Sequence, residues 1–332
     1  RDWRNLATPW KTSIVFEEHG KLLGGPVQPH GWDEDAQELK LTAKGIRSLF
    51  VGFPILPVAA LTTPLADVNG VPDSSLDSSW SGLDLGTIMK RAVQQALMFP
   101  GMGLPMLFEP DRAGSNTRTV VATDLKDIDS FLSDASNVEG GPDVDFRMSW
   151  ADESHVQWTM VTGSDGSPRL QSGNVFSWDL AAAQSAGSGL SVTTDPTVMG
   201  SVSIASSGRG QDTVNVATVY DPTLVSGGFP IRFLLDTSHT TASDTGTMAD
   251  WAYENLRTAS RPAEFWSFKV ALDKSPFPNE YNPGDLVQLT VEDSPYVNAA
   301  VAGPVTVTRR ISEIAFDETG IWASITCGEY YG

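Results

Sequence analysis

The sequence predicts a mainly β chain with an α+β insertion, and three observations predict it. Runs of Val, Thr, Ile and Ser set among 30 glycines and 21 prolines are the punctuation of many short strands. The last fifty residues open a strand at Pro283-Gly284-Asp285 and run through a long Val/Thr/Ile stretch to a hairpin signal at Asp317-Glu318-Thr319-Gly320, the pattern of a β-barrel closing on itself. From Leu83 the apolar period lengthens to three and four residues, so helices interrupt the strands. With 332 residues, 40% apolar and 19% charged, the chain can bury one or two sizeable cores, and two or three domains are expected.

The elements follow in order. Ile14 and Phe16 alternate with Val15 and Glu17, and Leu39, Leu41 and Ala43 with Lys40, Thr42 and Lys44, the period of half-buried strands. Proline and glycine between Pro54 and Pro72 mark a crossing between domains. A helix then carries Leu85, Ile88, Met89, Ala92, Val93 and Ala96 inward, with Ser81 and Asp84 in capping-box spacing, and ends before Pro100-Gly101. A second helix starts at Thr123 or Asp124, buries Leu125, Ile128, Leu132 and Ala135, and stops at Gly140-Gly141.

Strands at about 143–150 and 155–162 follow, then short ones at Val175–Leu180, Leu190–Thr194, Val202–Ala205 and Val214–Tyr220. A third helix near 247–259 has Thr247 and Asp250 in capping spacing, faces Met248, Trp251, Ala252 and Leu256 inward, and ends at Arg261-Pro262. Trp266, Phe268, Val270 and Leu272 line one face of the next strand. Expected boundaries are 1–62 for a first β-barrel, completed by part of 171–245, 63–170 for the α+β insertion, and 171–332 for a second β-barrel region.

Val305, Val307 and Ile311 share a parity that Ile314 and Phe316 do not. A one-residue slip moves every later side chain to the other face, so a bulge is expected near Ser312-Glu313. Gly25-Pro26-Val27, Asp33-Glu34 and Leu39 to Thr42 echo Gly303-Pro304-Val305, Asp317-Glu318 and Ala323 to Thr326. As a repeat this means two related barrels per chain, although the spacing differs between the copies.

The formal charge is −19, from 41 acidic and 22 basic side chains. A surface that grips nucleic acid clusters Lys and Arg, so the charge argues against such a role. The single cysteine, Cys327, shares a face with Ile321, Ala323 and Ile325, which makes it a buried inert thiol. The longest apolar run, Leu49 to Leu61, is broken by Pro54 and Pro57 and is too short to span a bilayer as a helix. The chain begins at Arg1 without a methionine, so a targeting segment ahead of it would be invisible.

No phosphate loop, zinc helix, nucleophile elbow or Cys-x-x-Cys pair is present, and His19, His30, His155 and His239 lack ligand spacing. No catalytic, cofactor-binding or metal-ligating residue is therefore assigned. Asp143 and Asp145 project from one side of a strand, a geometry open either to calcium or glycoside chemistry or to a solvated strand edge. Among ten tryptophans, Trp32, Trp80 and Trp178 are candidates to stack on sugars, while Trp3 and Trp10 suit an interface. A carbohydrate-binding or glycosidase-type β protein thus stays open.

The C-terminal progression from the helix Ala252 to Arg261, through Phe265 to Asp273, Asn282-Pro283-Gly284-Asp285-Leu286-Val287 and Arg309-Arg310-Ile311 to the Asp317 to Gly320 hairpin, resembles the baseplate hub, or minor tail, proteins of long-tailed bacteriophages. Trp10, Ile14 to Glu18, Leu39 to Gly45, and Leu125 to Ala135 leading into Asp143-Val144-Asp145-Phe146-Arg147 resemble them in order of elements.

The resemblance implies a non-enzymatic homotrimer in which each chain gives two tube-type β-barrels, with a smaller α+β domain outside the ring. It implies a hub at the virion's tail tip, assembled in the host cytoplasm. Its partners would be distal tail and tail tube proteins, tip or fibre proteins, and genomic DNA passing through without specific binding. An acidic wall repels a passing phosphate chain, so the charge acquires a mechanism. Trp3, Trp10, Arg309, Arg310 and Glu313 are the interface candidates. A host-receptor adhesin is the alternative from the same viral setting.

Overall fold

The computed structural model describes residues 6–329 apart from 29, 139, 183–184, 198, 208–213, 238–244, 260–261, 293–296, 298–302 and 318. The expected mainly β class holds, with a small helical insertion. Strands β1 (Ser13–Glu18) and β2 (Lys21–Pro26) form an antiparallel hairpin. His19 and Gly20 turn it with φ of 47° and 76°, the left-handed pair that matches strand twist in a two-residue hairpin. Strands β3 (Gly31–Asp33) and β4 (Glu38–Lys40) make a second, shorter hairpin. Asp33 turns it by accepting the N–H groups of Asp35 and Ala36 at 3.0 Å each. The alternation from Leu39 does not carry on to Ala43 as one strand, because β4 ends at Lys40 and Leu41 is exposed.

The insertion begins with β5 (Ser78–Leu83) and α1 (Leu85–Leu97). Asp84, not Ser81, caps α1: its Oδ1 accepts the Thr87 N–H at 3.2 Å, while Ser81 belongs to β5. Strands β6 (Met106–Phe108) and β7 (Ala113–Val120) follow, β7 pairing with β5. Helix α2 (Ile128–Ser136) starts later than its apolar period predicts. Asp127 caps it through the Ser130 N–H at 3.0 Å, and Leu125 precedes it exposed at φ 49°. Strands β8 (Val144–Trp150) and β9 (Val156–Thr162) then pair antiparallel, with β6 parallel to β9.

Next come β10 (Val175–Asp179), β11 (Gly187–Asp195), β12 (Val202–Ser206) and β13 (Val216–Tyr220). After a single helical turn, α3 (Thr223–Ser226), comes β14 (Phe233–Asp236), which the sequence pattern missed. Strand β12 lies between β13 and β14 in a three-stranded sheet. Helix α4 (Thr245–Thr258) begins two residues before Thr247, so Thr247 lies inside it and is not its cap. Its Met248, Trp251, Ala252 and Leu256 are buried as the spacing predicts.

Strands β15 (Ala263–Ala271), β16 (Leu286–Val291), β17 (Val305–Phe316) and β18 (Trp322–Gly328) complete a six-stranded sheet in the order β10-β16-β17-β18-β15-β11. The sheet curls so that Trp178, Trp266, Phe268, Leu289, Ile311 and Ile325 meet in one core. The parity slip is real: β17 shifts register against β18 between Ile311 and Glu313.

A second apolar core gathers Phe50, Ile88, Met89, Ile128, Leu132 and Met160 together with Ala205, Met248 and Trp251. The three-stranded sheet and α4 therefore share the insertion's core across the expected boundary at 170. The indole N–H of Trp251 donates to the Asp134 carbonyl at 3.2 Å, tying α4 to α2.

Candidate assembly surfaces

The Pro283-Gly284-Asp285 turn is where the curled sheet is fastened to the insertion. Gly284 sits at φ +101°, and a Cβ there would lie 2.0 Å from the Leu170 carbonyl oxygen, so only glycine lets the 168–172 segment approach. Asp285 is buried beside it. Its carboxylate accepts the Ser172 N–H at 2.6 Å and the Asn282 N–H at 2.9 Å.

One strand away, Arg310 donates to the Gly284 carbonyl at 3.0 Å and to Asp143 of the insertion. Asp143 also accepts the Leu170 N–H at 2.8 Å, and Arg169 lies 3.6 Å from its other oxygen. A cleft of about 350 Å³ opens at this junction, bordered by Arg112, Arg147, Arg169, Ser172, Asn282 and Asp285. Its arginines are engaged by carboxylates: Arg112 by Asp84 and Glu109, Arg147 by Asp145, and Arg169 by Asp143.

Asp143 and Asp145 thus each hold an arginine, and neither stands as a free carboxylate facing the other. Among the described residues no group of three or more His, Cys, Asp or Glu side chains gathers at metal-binding distance, and no helix is long and apolar enough to cross a membrane.

Lys21 reaches from the β1–β2 hairpin to the loop before that turn, donating to the Tyr281 carbonyl and to Asn282 Oδ1 at 3.0 Å. Burial pushes its ammonium down to about 8, with Arg147 adding to the shift and Asp145 and Asp285 opposing it. His19 stacks on Phe277 with ring centroids 5.0 Å apart. The N-terminal hairpin is therefore docked on the curled sheet's own loops.

The interface candidates fall in different places. Trp10 is exposed at φ 65° and Glu313 is exposed at the bulge. Arg309 points to the inner side with Val307 and Ile311, stacks over Trp266 at 4.5 Å, and donates to Glu264 at 3.0 Å. Arg310 serves the junction. Trp3 and His239 lie outside the described residues.

Of the tryptophans considered for sugar stacking, Trp178 is buried against Tyr281 and Phe268, and Trp80 leans on Phe131. Only Trp32 among those three is exposed, its indole N–H donating to Glu34 at 2.6 Å. Cys327 is fully buried, and desolvation pushes its thiol up to about 12.

Sequence reasoning missed an apolar face on the three-stranded sheet. On the three-stranded sheet, Val202 is paired with Tyr220 and Phe233, and Ile204 with Thr218 and Leu235, so these side chains share one face. The other face, with Ala205, Ala217 and Val219, packs against α4. Tyr220, Phe233 and Leu235 are exposed. The signal that could have found it was the stretch Phe229 to Leu235, apolar but for Arg232.

No family model and no curated protein matches the chain by sequence. Its fold is similar to that of the 43 kDa tail protein of prophage MuSo2 from Shewanella oneidensis, with a TM-score of 0.51 over 97% of this chain and 84% of that chain at 12% identity. A prophage tail protein from Listeria monocytogenes EGD-e matches at a TM-score of 0.42 and 11% identity, covering 95% of this chain and 79% of that chain. An Escherichia coli component of the type VI secretion system matches at 0.40 and 12%, covering 96% of this chain and 63% of that chain. At these identities the likeness is one of fold.

Proposed function

We propose that this chain is a structural, non-enzymatic hub at the tip of a phage tail, where three copies form a ring that continues the tail tube and lets DNA pass. The observation that carries this reading is the fold shared with a prophage tail protein along nearly the whole chain. The curled six-stranded sheet serves as one tube element of each chain. The N-terminal strands, with part of 171–245, belong to the other, which is completed on assembly.

The charge of −19 supports a conduit rather than a grip, because a wall of like sign raises the energy of an approaching phosphate chain. The ion pairs at the junction are supporting too: they join sheet and insertion into one body that can bear load. In this reading tail tube and distal tail proteins bind one side of the ring and tip or fibre proteins the other, with assembly in the host cytoplasm and final residence in the virion.

Sedimentation of the purified chain tests it. A particle three times the 35.6 kDa chain mass that leaves duplex DNA unretarded is expected. A stable single chain, or one that releases sugars from a glycan, would overturn the reading.

A further inference from the structure

The cleft of about 350 Å³ at the junction is bordered by three arginines, in a chain whose formal charge is −19. Arg112 spends its donors inside the fold, on Asp84, Glu109, the Thr162 hydroxyl and the Gly163 carbonyl. The other two do not. Arg147 meets Asp145 through Nε alone, at 3.3 Å, and Arg169 lies 3.6 Å from Asp143 through one Nη, beyond hydrogen-bond reach. Among the described residues nothing else accepts from either guanidinium, and both side chains are 43% exposed.

Charge points the same way. Asp143 is shared between Arg169 and Arg310, and Arg310 holds it the more closely, so Arg169 keeps a positive charge that its carboxylate does not fully offset. Asp285, the acid among the lining residues, has its oxygens occupied by the Ser172 and Asn282 N–H groups. The Gln171 amide, the Ser167 hydroxyl and the Asn282 amide border the same space. Asn282 Oδ1 already accepts from Lys21, which leaves its N–H groups to give.

Guanidiniums with donors to spare in a half-closed cleft fit one chemistry. Their planar forks match the oxygens of a phosphate. A dianion with three or four free oxygens can take both forks and a neighbouring amide. A carboxylate or a nucleic-acid diester offers two free oxygens and one charge, too few for this set. The cleft's volume lies at the small end of ligand sites.

We propose that this cleft binds a phosphate dianion between Arg147 and Arg169, either as the free ion or as the phosphoryl end of a small monoester. Arg147 and Arg169 belong to the insertion and Asn282 to the curled sheet's loops, so the bound anion adds a tie across the junction. The site does not depend on the trimeric reading.

Calorimetry of the purified chain with inorganic phosphate, against sodium chloride of equal ionic strength, tests it. Saturable binding of one phosphate per chain is expected, with a melting temperature that rises with phosphate and not with chloride. In R147Q/R169Q the affinity is expected to fall about tenfold or more, as the loss of charge-assisted hydrogen bonds requires. A folded variant that binds phosphate as the native chain does would overturn the site, and so would native heats no different from those of chloride. Glycerol 1-phosphate, titrated alongside, separates the two sources. Tighter binding than phosphate assigns the site to a monoester, and affinity no better than phosphate's assigns it to the free ion.

Phenylglyoxal, which modifies guanidinium groups, keeps the native chain should the double variant not fold. Phosphate is expected to slow its reaction at Arg147 and Arg169, read by peptide mass, and to leave exposed Arg91 unchanged. A response at the two cleft arginines no larger than at Arg91 would overturn the proposal.

Discussion

Arg310 on β17 and Asp143, one residue ahead of β8, are ion-paired across the junction between the curled sheet and the insertion, 167 positions apart in sequence. Both side chains are about four-fifths buried, and Arg310 also holds the Gly284 carbonyl. Removing one member leaves a partly desolvated charge, which is costlier than the pair is stabilising.

Arg310→Ala is therefore expected to destabilise the chain by about 1–3 kcal/mol, the lower part of the range for a buried pair because solvent still screens this one. Asp143 keeps Arg169 and the Leu170 N–H, which softens the loss. Chemical denaturation of the purified variant measures it, and limited proteolysis should cut first within 163–174.

Gly284→Ala should be worse. It combines a left-handed backbone with a Cβ 2.0 Å from the Leu170 carbonyl oxygen, and backbone cannot yield as a side chain tip would. A loss of about 3 kcal/mol or more is expected, read by thermal unfolding.

Lys21 supplies a pH signature. Its folded pKa, about 8, lies below its ordinary value of 10.5, so between those limits the unfolded chain binds more protons and stability rises with pH. The gain is complete above about 10.5 and absent below about 8. Lys21→Met removes the group, so the difference in unfolding free energy between native and variant chains should change across that window and stay flat from pH 6 to 7.5. Urea titrations at a series of pH values check it.

Cys327 should be silent until the curled sheet opens. With its thiol fully buried and pushed up to about 12, a disulfide reagent at pH 8 is expected to leave the native chain unlabelled and to label it fully in denaturant.

How much of this was legible in the sequence depends on the element. The last strands were, because a period of two fixes which side chains face inward. The parity break between Ile311 and Ile314 located a bulge to within a residue. Helix cores were legible and helix starts were not. Asp84 and Asp127 cap α1 and α2 directly, and the polar residues that precede them mimic the same signal. Strand β14 was hidden because Phe233 to Asp236 follows Gly227, Gly228 and Pro230, which read as a loop.

The functional surfaces were less legible still. Pro283-Gly284-Asp285 stood out as a motif, but its role in seating Leu170 and Ser172 depends on a segment more than a hundred residues away. Arg309 and Arg310 are neighbours in sequence, yet one turns inward onto Trp266 and the other outward to Asp143, as strand alternation requires. The apolar face of the three-stranded sheet left only the Phe229 to Leu235 stretch as a trace, since Tyr220 and Phe233 meet only through Val202 between them.

The central claim is that three copies enclose a hole. Electron micrographs of the purified chain, averaged without imposed symmetry, test it most directly. The account predicts end-on views of a threefold ring with an axial opening, and fields of solitary compact particles with no opening would contradict it.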